Sequence, residues 1–285
     1  MVSRLELYRN CVQKLKENGI HDAEFDTMCI FQQVFREKNP LFKPNEETTN
    51  SYIYKVYNDV EYRCKGKPLQ YVLGEWDFWK YTFMVGEGVL IPRPDTETLI
   101  ENILDICRKH NINSPKILDL CSGSGCIAIT LDKEIPCSEV WAVEKYDEAF
   151  EYLAENIKFN NSDVKAVKAD VLSTETAGKF RDFDIIVSNP PYLTAEEMCD
   201  LQKEVQAEPQ SALFGGTDGL DFYRIITEIW RYSLKTGGYI CYEFGMNQHD
   251  AVAEILKLNN FINIKFTEDA GGIIRTATAE KQEEK

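Results

Sequence analysis

The chain reads as a doubly wound α/β protein, with a mostly parallel seven-stranded sheet preceded by a small N-terminal helical bundle. Three observations carry that reading. From Lys116 onward, short apolar runs alternate with helix-length stretches, the rhythm of parallel strands joined by crossover helices. A glycine turn, Gly123-Ser124-Gly125, follows the first of those runs and opens a helix. The last two runs are separated by only a few residues including Gly271-Gly272, too short for a crossover, so they are expected to pair antiparallel.

The first 73 residues predict helices. Ser3 with Glu6 forms a capping box, Leu5, Tyr8, Val12 and Leu15 fall on one face, and Gly19 ends the helix. A second helix starts at Asp22 and carries Phe25, Cys29 and Ile30 before Pro40. A third runs from about Glu46 with Ile53, Val56, Val60 and Cys64 at helical spacing, and Lys65-Gly66-Lys67-Pro68 terminates it. Residues 69–92 turn aromatic and β-prone, broken by glycines, and predict a hairpin linker over 74–92. Ile91-Pro92-Arg93-Pro94-Asp95-Thr96-Glu97 is a rigid turn into a helix reaching about His110, with Asp95 or Thr96 as its cap. The catalytic part then spans 93–285. Its strands are expected at Ile117–Leu120, Val140–Val143, Val164–Val167, Phe183–Val187, Tyr239–Tyr242, Phe261–Phe266 and Ile273–Ala277.

Composition narrows the function. With 44% hydrophobic and 12% aromatic residues, 285 residues build a full core. No apolar window approaches the ~18 residues of a membrane span, and the N-terminus turns polar at once without a signal-peptide core, so a cytoplasmic protein away from membranes is expected. Nine cysteines without a C-x-x-C pair, and three histidines, predict reduced thiols and no metal site. Net charge is −15, and it is uneven: residues 1–73 hold 11 Lys/Arg against 10 Asp/Glu, the remainder 21 against 37. An acidic catalytic part repels phosphate backbones, which argues against free nucleic acid as substrate.

The chemistry gathers at the predicted carboxyl edge of the sheet, where open α/β folds bind ligands. Asn189-Pro190-Pro191-Tyr192 follows the fourth strand. The two prolines fix φ near −65° and donate no N–H, so the loop is a stiff bracket presenting acceptor oxygens to an –NH2 group and a ring to a planar one. Asp119-Leu120-Cys121-Ser122-Gly123-Ser124-Gly125-Cys126 lets backbone amides approach a ligand at a helix N-terminus. Gly123 to Ala128 satisfies G-x-G-x-x-A, and Glu144 closes the second strand where a carboxylate accepts ribose hydroxyls, a geometry that serves NAD or an adenosyl group. Asp170 with Val171, after the third strand, reads either as a helix cap or as an acceptor and packing surface for adenine. Asp119 reads either as a turn-stabilising residue or as a partner for a ligand's amino or cationic group.

This set, in this order, resembles the class I, Rossmann-like S-adenosylmethionine-dependent methyltransferases acting on –NH2 nitrogens, with their [DNS]-P-P-[YFW] signature. Pro68-Leu69-Gln70-Tyr71-Val72-Leu73-Gly74, Val89 to Glu97, Glu243-Phe244-Gly245 with Gln248, and Asp269…Gly272…Arg275 further resemble the PrmC/HemK family, across nearly the whole chain and most weakly over the first 60 residues. The resemblance implies S-adenosyl-L-methionine as cofactor and, as partner and substrate, peptide chain release factors, methylated on the glutamine of their Gly-Gly-Gln motif. It also implies a bundle over 1–73 that binds the release factor, and a monomer. By residue, it implies cofactor contacts from Asp119, Cys121, Ser122, Gly123, Ser124, Gly125, Glu144, Asp170, Val171 and Asn189. Asn189, Pro190, Pro191 and Tyr192 would hold the substrate amide, with Asn189, Pro190 and Tyr192 acting in catalysis. The family commonly has Gly at the position of Cys121 and Asp at that of Glu144, so a positive φ is not expected at Cys121. Gln70, Arg93 and Glu97 either shape a lid or groove, or serve packing and capping. A ribosomal-protein glutamine and, less well, an exocyclic amine of DNA or rRNA are alternative acceptors. A nicotinamide dehydrogenase rests on G-x-G-x-x-A alone, and a non-enzymatic binding module has no use for a stiff bracket.

Overall fold

A computed structural model describes residues 2–283, which divide into two compact units: 2–75 with 202–207, and 76–201 with 208–283. The first unit is a helical bundle of α1 (Arg4–Glu17), α2 (Ala23–Phe35), α3 (Asn50–Cys64) and a short α4 (Leu69–Leu73). Ser3 caps α1 by accepting the Glu6 N–H at 3.2 Å. The stripe it buries is Arg4, Leu7, Cys11 and Leu15; Leu5, Tyr8 and Val12 lie half-buried beside it, one position off the predicted face. Phe25, expected in the core, points outward from α2, where Ala23, Ile30, Phe31 and Val34 are buried instead. The third helix begins at Asn50 rather than Glu46 because β2 (Glu47–Thr48) pairs antiparallel with β1 (Val2–Ser3). Residues 71–73, read as β-prone, finish α4, which Gly74 ends at φ +78°. The buried Arg63 guanidinium bonds Asp26 at 2.7 Å and also reaches Glu204, tying the segment 202–207 to the bundle.

The second unit opens with a hairpin, β3 (Glu75–Phe78) and β4 (Tyr81–Met84), whose Phe78 and Phe83 are buried. Of the aromatic rings over 71–83, Tyr71, Phe78 and Phe83 are buried, while Trp76, Trp79 and Tyr81 are half-buried. There follow α5 (Glu97–Lys109), β5 (Lys116–Leu120), α6 (Cys126–Glu134), β6 (Glu139–Glu144), α7 (Asp147–Phe159), β7 (Lys165–Lys168), α8 (Thr174–Ala177), β8 (Phe183–Ser188), α9 (Asp221–Trp230), β9 (Leu234–Glu243), α10 (His249–Leu258), β10 (Phe261–Glu268) and β11 (Ile274–Lys281). The seven-stranded sheet runs β10-β11-β9-β8-β5-β6-β7. It is parallel from β9 to β7, with β11 antiparallel to both β9 and β10, as the short Gly271-Gly272 connection requires.

Alternation of side chains covers both faces. Ile117, Ile185 and Cys241 pack with Leu99, Ile103, Ile129, Leu131 and Leu153 from α5, α6 and α7. Leu118, Ile186, Ile240 and Tyr242 pack with Tyr223, Ile226, Trp230, Val252 and Leu256 from α9 and α10. Strand order reverses between β5 and β8, so the loops after these two strands part there and open a crevice. Among the described residues no helix is long and apolar enough to cross a membrane.

Candidate active site

Register brings the predicted loops together. Leu120 on β5 is opposite Ser188 on β8, and the Ser188 hydroxyl donates to the Leu120 carbonyl at 2.6 Å, so Cys121 and Asn189 leave the sheet side by side. Between them lies a cleft, open at its mouth. Of the residues predicted for the site, Cys121, Ser122, Gly123, Ser124, Glu144, Asp170, Val171, Asn189 and Pro191 line it. Asp119, Gly125, Pro190 and Tyr192 do not reach its wall.

Each of those four has a local reason. Asp119 sits inside the sheet, fully buried, and among the described residues neither carboxylate oxygen completes a hydrogen bond. Burial pushes its pKa up to about 8, against weaker pulls from the Ser122 hydroxyl and the Ala128 amide. Gly125 is a packing residue: it adopts φ +82°, and a Cβ there would lie 2.5 Å from Leu153 Cδ1 of α7. Pro190 is buried. Tyr192 packs on the α9–α10 face of the sheet and against Gly245, and burial pushes its phenol pKa up.

The glycine loop is held from beneath. The fully buried Asn156 of α7 accepts the Met84 N–H at 2.6 Å and donates to the carbonyls of Met84 (3.0 Å) and Ser124 (2.9 Å), joining hairpin to loop. Cys121 adopts φ +62°, against expectation. The turn out of β5 needs a left-handed residue whichever side chain stands there, and the Ser122 N–H is held by the Val143 carbonyl at 3.1 Å. Glu144, 6% exposed, accepts from the amides of Gly123 (2.9 Å), Lys145 (2.7 Å) and Tyr146 (2.9 Å). Oε2 carries only the first of these and keeps capacity for a hydroxyl. Asp170 accepts the Leu172 N–H at 2.9 Å and pairs with Lys145 at 2.8 Å. Partial burial alone would raise its pKa; Lys145 and the Leu172 amide outweigh that and hold it below the carboxylate norm. The Val171 carbonyl accepts the Trp230 indole N–H at 2.7 Å.

The bracket is clamped from the other side. Gln248 accepts the Gly245 N–H and donates to the Tyr192 carbonyl, both at 2.9 Å. Leu193 exchanges backbone bonds with Leu213 (2.8 Å) and Gly215 (2.9 Å). Neither Asp95 nor Thr96 caps α5 by its side chain, contrary to prediction; a 3-10 turn over Pro94–Thr96 leads in, and the Thr96 hydroxyl accepts from Asn189 Nδ2 at 3.2 Å. Arg93 lines the cleft and pairs with Glu208, while Glu97 accepts the Trp79 N–H at 2.7 Å to cap the hairpin turn. Sequence reading missed Thr96, Tyr146 and Phe222 as cleft residues. Only the position of Tyr146, two beyond Glu144, offered a signal.

The donor set fits S-adenosylmethionine. The amides of the glycine loop open α6, a buried carboxylate retains acceptor capacity beside them, and Val171, Leu172 and Phe222 give an apolar end next to an aspartate. Comparison with known proteins agrees. The PrmC N-terminal domain model matches residues 6–74, and the Methyltransferase small domain model matches residues 94–216. A release factor glutamine methyltransferase of Fusobacterium nucleatum is 38% identical, covering 97% of this chain and 78% of its own. One of Thermodesulfovibrio yellowstonii is 36% identical, covering 97% and 98%. A methyltransferase crystal structure from Pyrococcus furiosus shares the fold, with a TM-score of 0.50 at 21% identity over 65% of this chain and 84% of that one. With two domain models matched in order and identity of this extent along almost its whole length, the chain belongs to the family of release factor glutamine methyltransferases.

Proposed function

We propose that this protein transfers a methyl group from S-adenosylmethionine to the side-chain amide nitrogen of the glutamine in the Gly-Gly-Gln motif of peptide chain release factors. The observation that carries this reading is Asn189 in the wall of the cleft that the glycine loop also lines, with its Nδ2 committed to Thr96. Oδ1 is then the atom left for a ligand, and it is an acceptor, which is what an –NH2 group needs.

S-adenosylmethionine supplies a methyl group made electrophilic by its sulfonium. The residues around it bind and aim. Cys121 to Ser124 would take the methionine end, Glu144 the ribose, and Asp170, Val171 and Phe222 the adenine. An amide nitrogen is a poor nucleophile, since its lone pair is delocalised into the carbonyl. Asn189 Oδ1 accepts an N–H of that amide and favours positive charge building on its nitrogen, while Pro190 and Tyr192, which stand back from the cleft wall, brace the loop that carries it. The loop is clamped by Gln248 and Gly215, so the acceptor is set before the substrate arrives. Positioning of this kind lowers a barrier by roughly 7–11 kcal/mol at best. The bracket itself holds no carboxylate, and the proton leaves after transfer.

Recognition of the partner protein falls to the helical unit over 1–73, which presents Phe25, Phe42, Tyr52, Tyr54 and Tyr62 to solvent. The −16 balance of the remaining residues disfavours free nucleic acid as substrate, and a cytoplasmic monomer is the working form proposed. The test is incubation with labelled S-adenosylmethionine and purified release factor. Label should enter wild-type release factor and not a Gln→Ala variant of its Gly-Gly-Gln loop. Asn189→Ala should lower turnover by about 10²–10³-fold while cofactor affinity changes little. Normal turnover by that variant, or label elsewhere in the release factor, would overturn the reading.

A further inference from the structure

At the carboxyl ends of the neighbouring parallel strands β8 and β9, Ser188 is opposite Tyr242, which makes Asn189 and Glu243 the next residues out. Glu243 is 2% exposed, and its Oε2 is buried without a hydrogen-bond partner among the described residues. Thr96 and Asn189, joined to each other by the Asn189 Nδ2–Thr96 Oγ1 bond at 3.2 Å, are the neutral polar side chains that act on its carboxyl. Its backbone is fixed: the carbonyl accepts the Tyr223 hydroxyl at 2.8 Å, and β11 pairs alongside through Thr276. Arg275, the cation that acts on this carboxyl, is bonded to Asp269 at 3.2 Å and stands 3.9 Å from Asp95, and among the described residues Glu243 has no ion pair of its own.

We propose that Glu243 is a positioning residue: its buried carboxylate fixes which end of the Asn189 amide faces the cleft, and the site is competent only while Glu243 is ionised. The inference rests on the reading of Asn189 as the acceptor for the substrate nitrogen. An ionised carboxylate has acceptors only, so it draws Asn189 Nδ2 toward itself and Thr96 and leaves Oδ1 for the substrate N–H. A protonated carboxyl carries an O–H that donates to Oδ1. The Asn189 amide is then free to turn, and it presents N–H bonds to a substrate that also offers N–H bonds. Donor would face donor, and the nitrogen would lose its acceptor. The charge itself contributes too, because a carboxylate behind Asn189 polarises Oδ1 and favours positive charge growing on the nitrogen it holds.

The environment puts the transition within reach of ordinary buffers. The groups facing Glu243 are Asp95 and Thr96 ahead of α5, Cys126 on α6, Asn189 and Tyr192 after β8, Tyr223 on α9 and Arg275 on β11. Burial dominates and, with Asp95, pushes the carboxyl pKa up to about 7, against the opposing pulls of Thr96, Arg275 and Asn189. A raised carboxyl pKa means the active, ionised form is lost as pH falls through that value.

The experiment measures kcat, KM for release factor and calorimetric affinity for S-adenosylmethionine from about pH 6 to pH 9. It compares wild type, Glu243→Gln, Glu243→Asp and Asn189→Ala. Wild-type kcat should fall about tenfold per pH unit on the acid side of the transition, with cofactor affinity within twofold. Glu243→Gln, a neutral isostere, should lose about 10²-fold in kcat near pH 8 and show no acid limb. Glu243→Asp should recover part of the loss and keep a limb. A Glu243→Gln enzyme within threefold of wild type, or one with the wild-type limb, overturns the inference while Asn189→Ala still tests the bracket separately. Should Glu243→Gln fail to fold, a wild-type kcat that is flat between pH 6 and pH 8 overturns it alone. Failure of wild type to label release factor at all would instead sink the proposed function.

Discussion

Asp119 offers the sharpest energetic prediction. It is fully buried, neither oxygen completes a hydrogen bond among the described residues, and burial raises its pKa from 3.8 to about 8. A carboxyl whose folded pKa is raised binds its proton more tightly folded than unfolded. Stability is therefore lost as pH climbs above the unfolded value, and the loss levels off only above the folded one. Between about pH 6 and pH 8.5 the unfolded chain is already ionised while the folded protein resists ionisation. At about 1.4 kcal/mol per unit, that interval removes about 2–3 kcal/mol from the wild type. Asp119→Asn keeps the shape of the protonated side chain and cannot ionise, so it should not share that fall. Glu243 titrates in the same direction, but in both proteins, and it cancels in the difference. Urea unfolding of both ligand-free proteins at the two pH values measures the quantity directly. Asp119→Asn should gain about 2 kcal/mol or more on wild type between them. Two stabilities that decline in parallel would refute the reasoning, and would mean that Asp119 is already ionised and solvated near neutral pH.

Two further predictions concern loop geometry. A Cβ on Gly215 would lie 2.6 Å from the Pro191 carbonyl oxygen and 2.7 Å from Tyr192 Cα, both backbone atoms, so Gly215→Ala must push the bracket aside. Methyl transfer should fall by about 10²-fold with S-adenosylmethionine affinity kept within a few-fold, as kinetics and calorimetry would establish. Cys121 at φ +62° carries a left-handed penalty of about 1–2 kcal/mol. Cys121→Gly removes it, but the freer unfolded chain offsets about 0.5–1 kcal/mol. A small net gain in denaturation midpoint is expected, and a loss above about 1 kcal/mol would show instead that packing of the thiol dominates.

Much of the fold was legible because its signals are local. Period-two alternation in Ile117-Leu118 and Ile185-Ile186 sends neighbouring side chains to opposite faces wherever the strand lies. The short link at Gly271-Gly272 forbids a crossover in any context. The loop residues of the site were legible for the same reason: glycines after β5, a carboxylate ending β6 and a double proline after β8 must all appear at one edge of a parallel sheet. The bundle was less so. Its amphipathic faces are weak, and a tilt of one position moved the buried stripe from Leu5 and Tyr8 to Leu7 and Cys11.

Pairs far apart in the chain were decided by tertiary structure alone. Thr96 looked like a helix cap, yet its hydroxyl serves Asn189, 93 positions away. Gly125 looked like a ligand contact and is instead the space that Leu153 fills. Glu243 stands beside Asn189 only because β9 adds to β8 in a register that no local pattern encodes. The amino-acid order determined which chemistry reaches the sheet edge, since side-chain alternation and turn preferences act over a few residues. Which of those groups touch, and which are left buried without a partner, depended on packing between strands and helices remote in sequence.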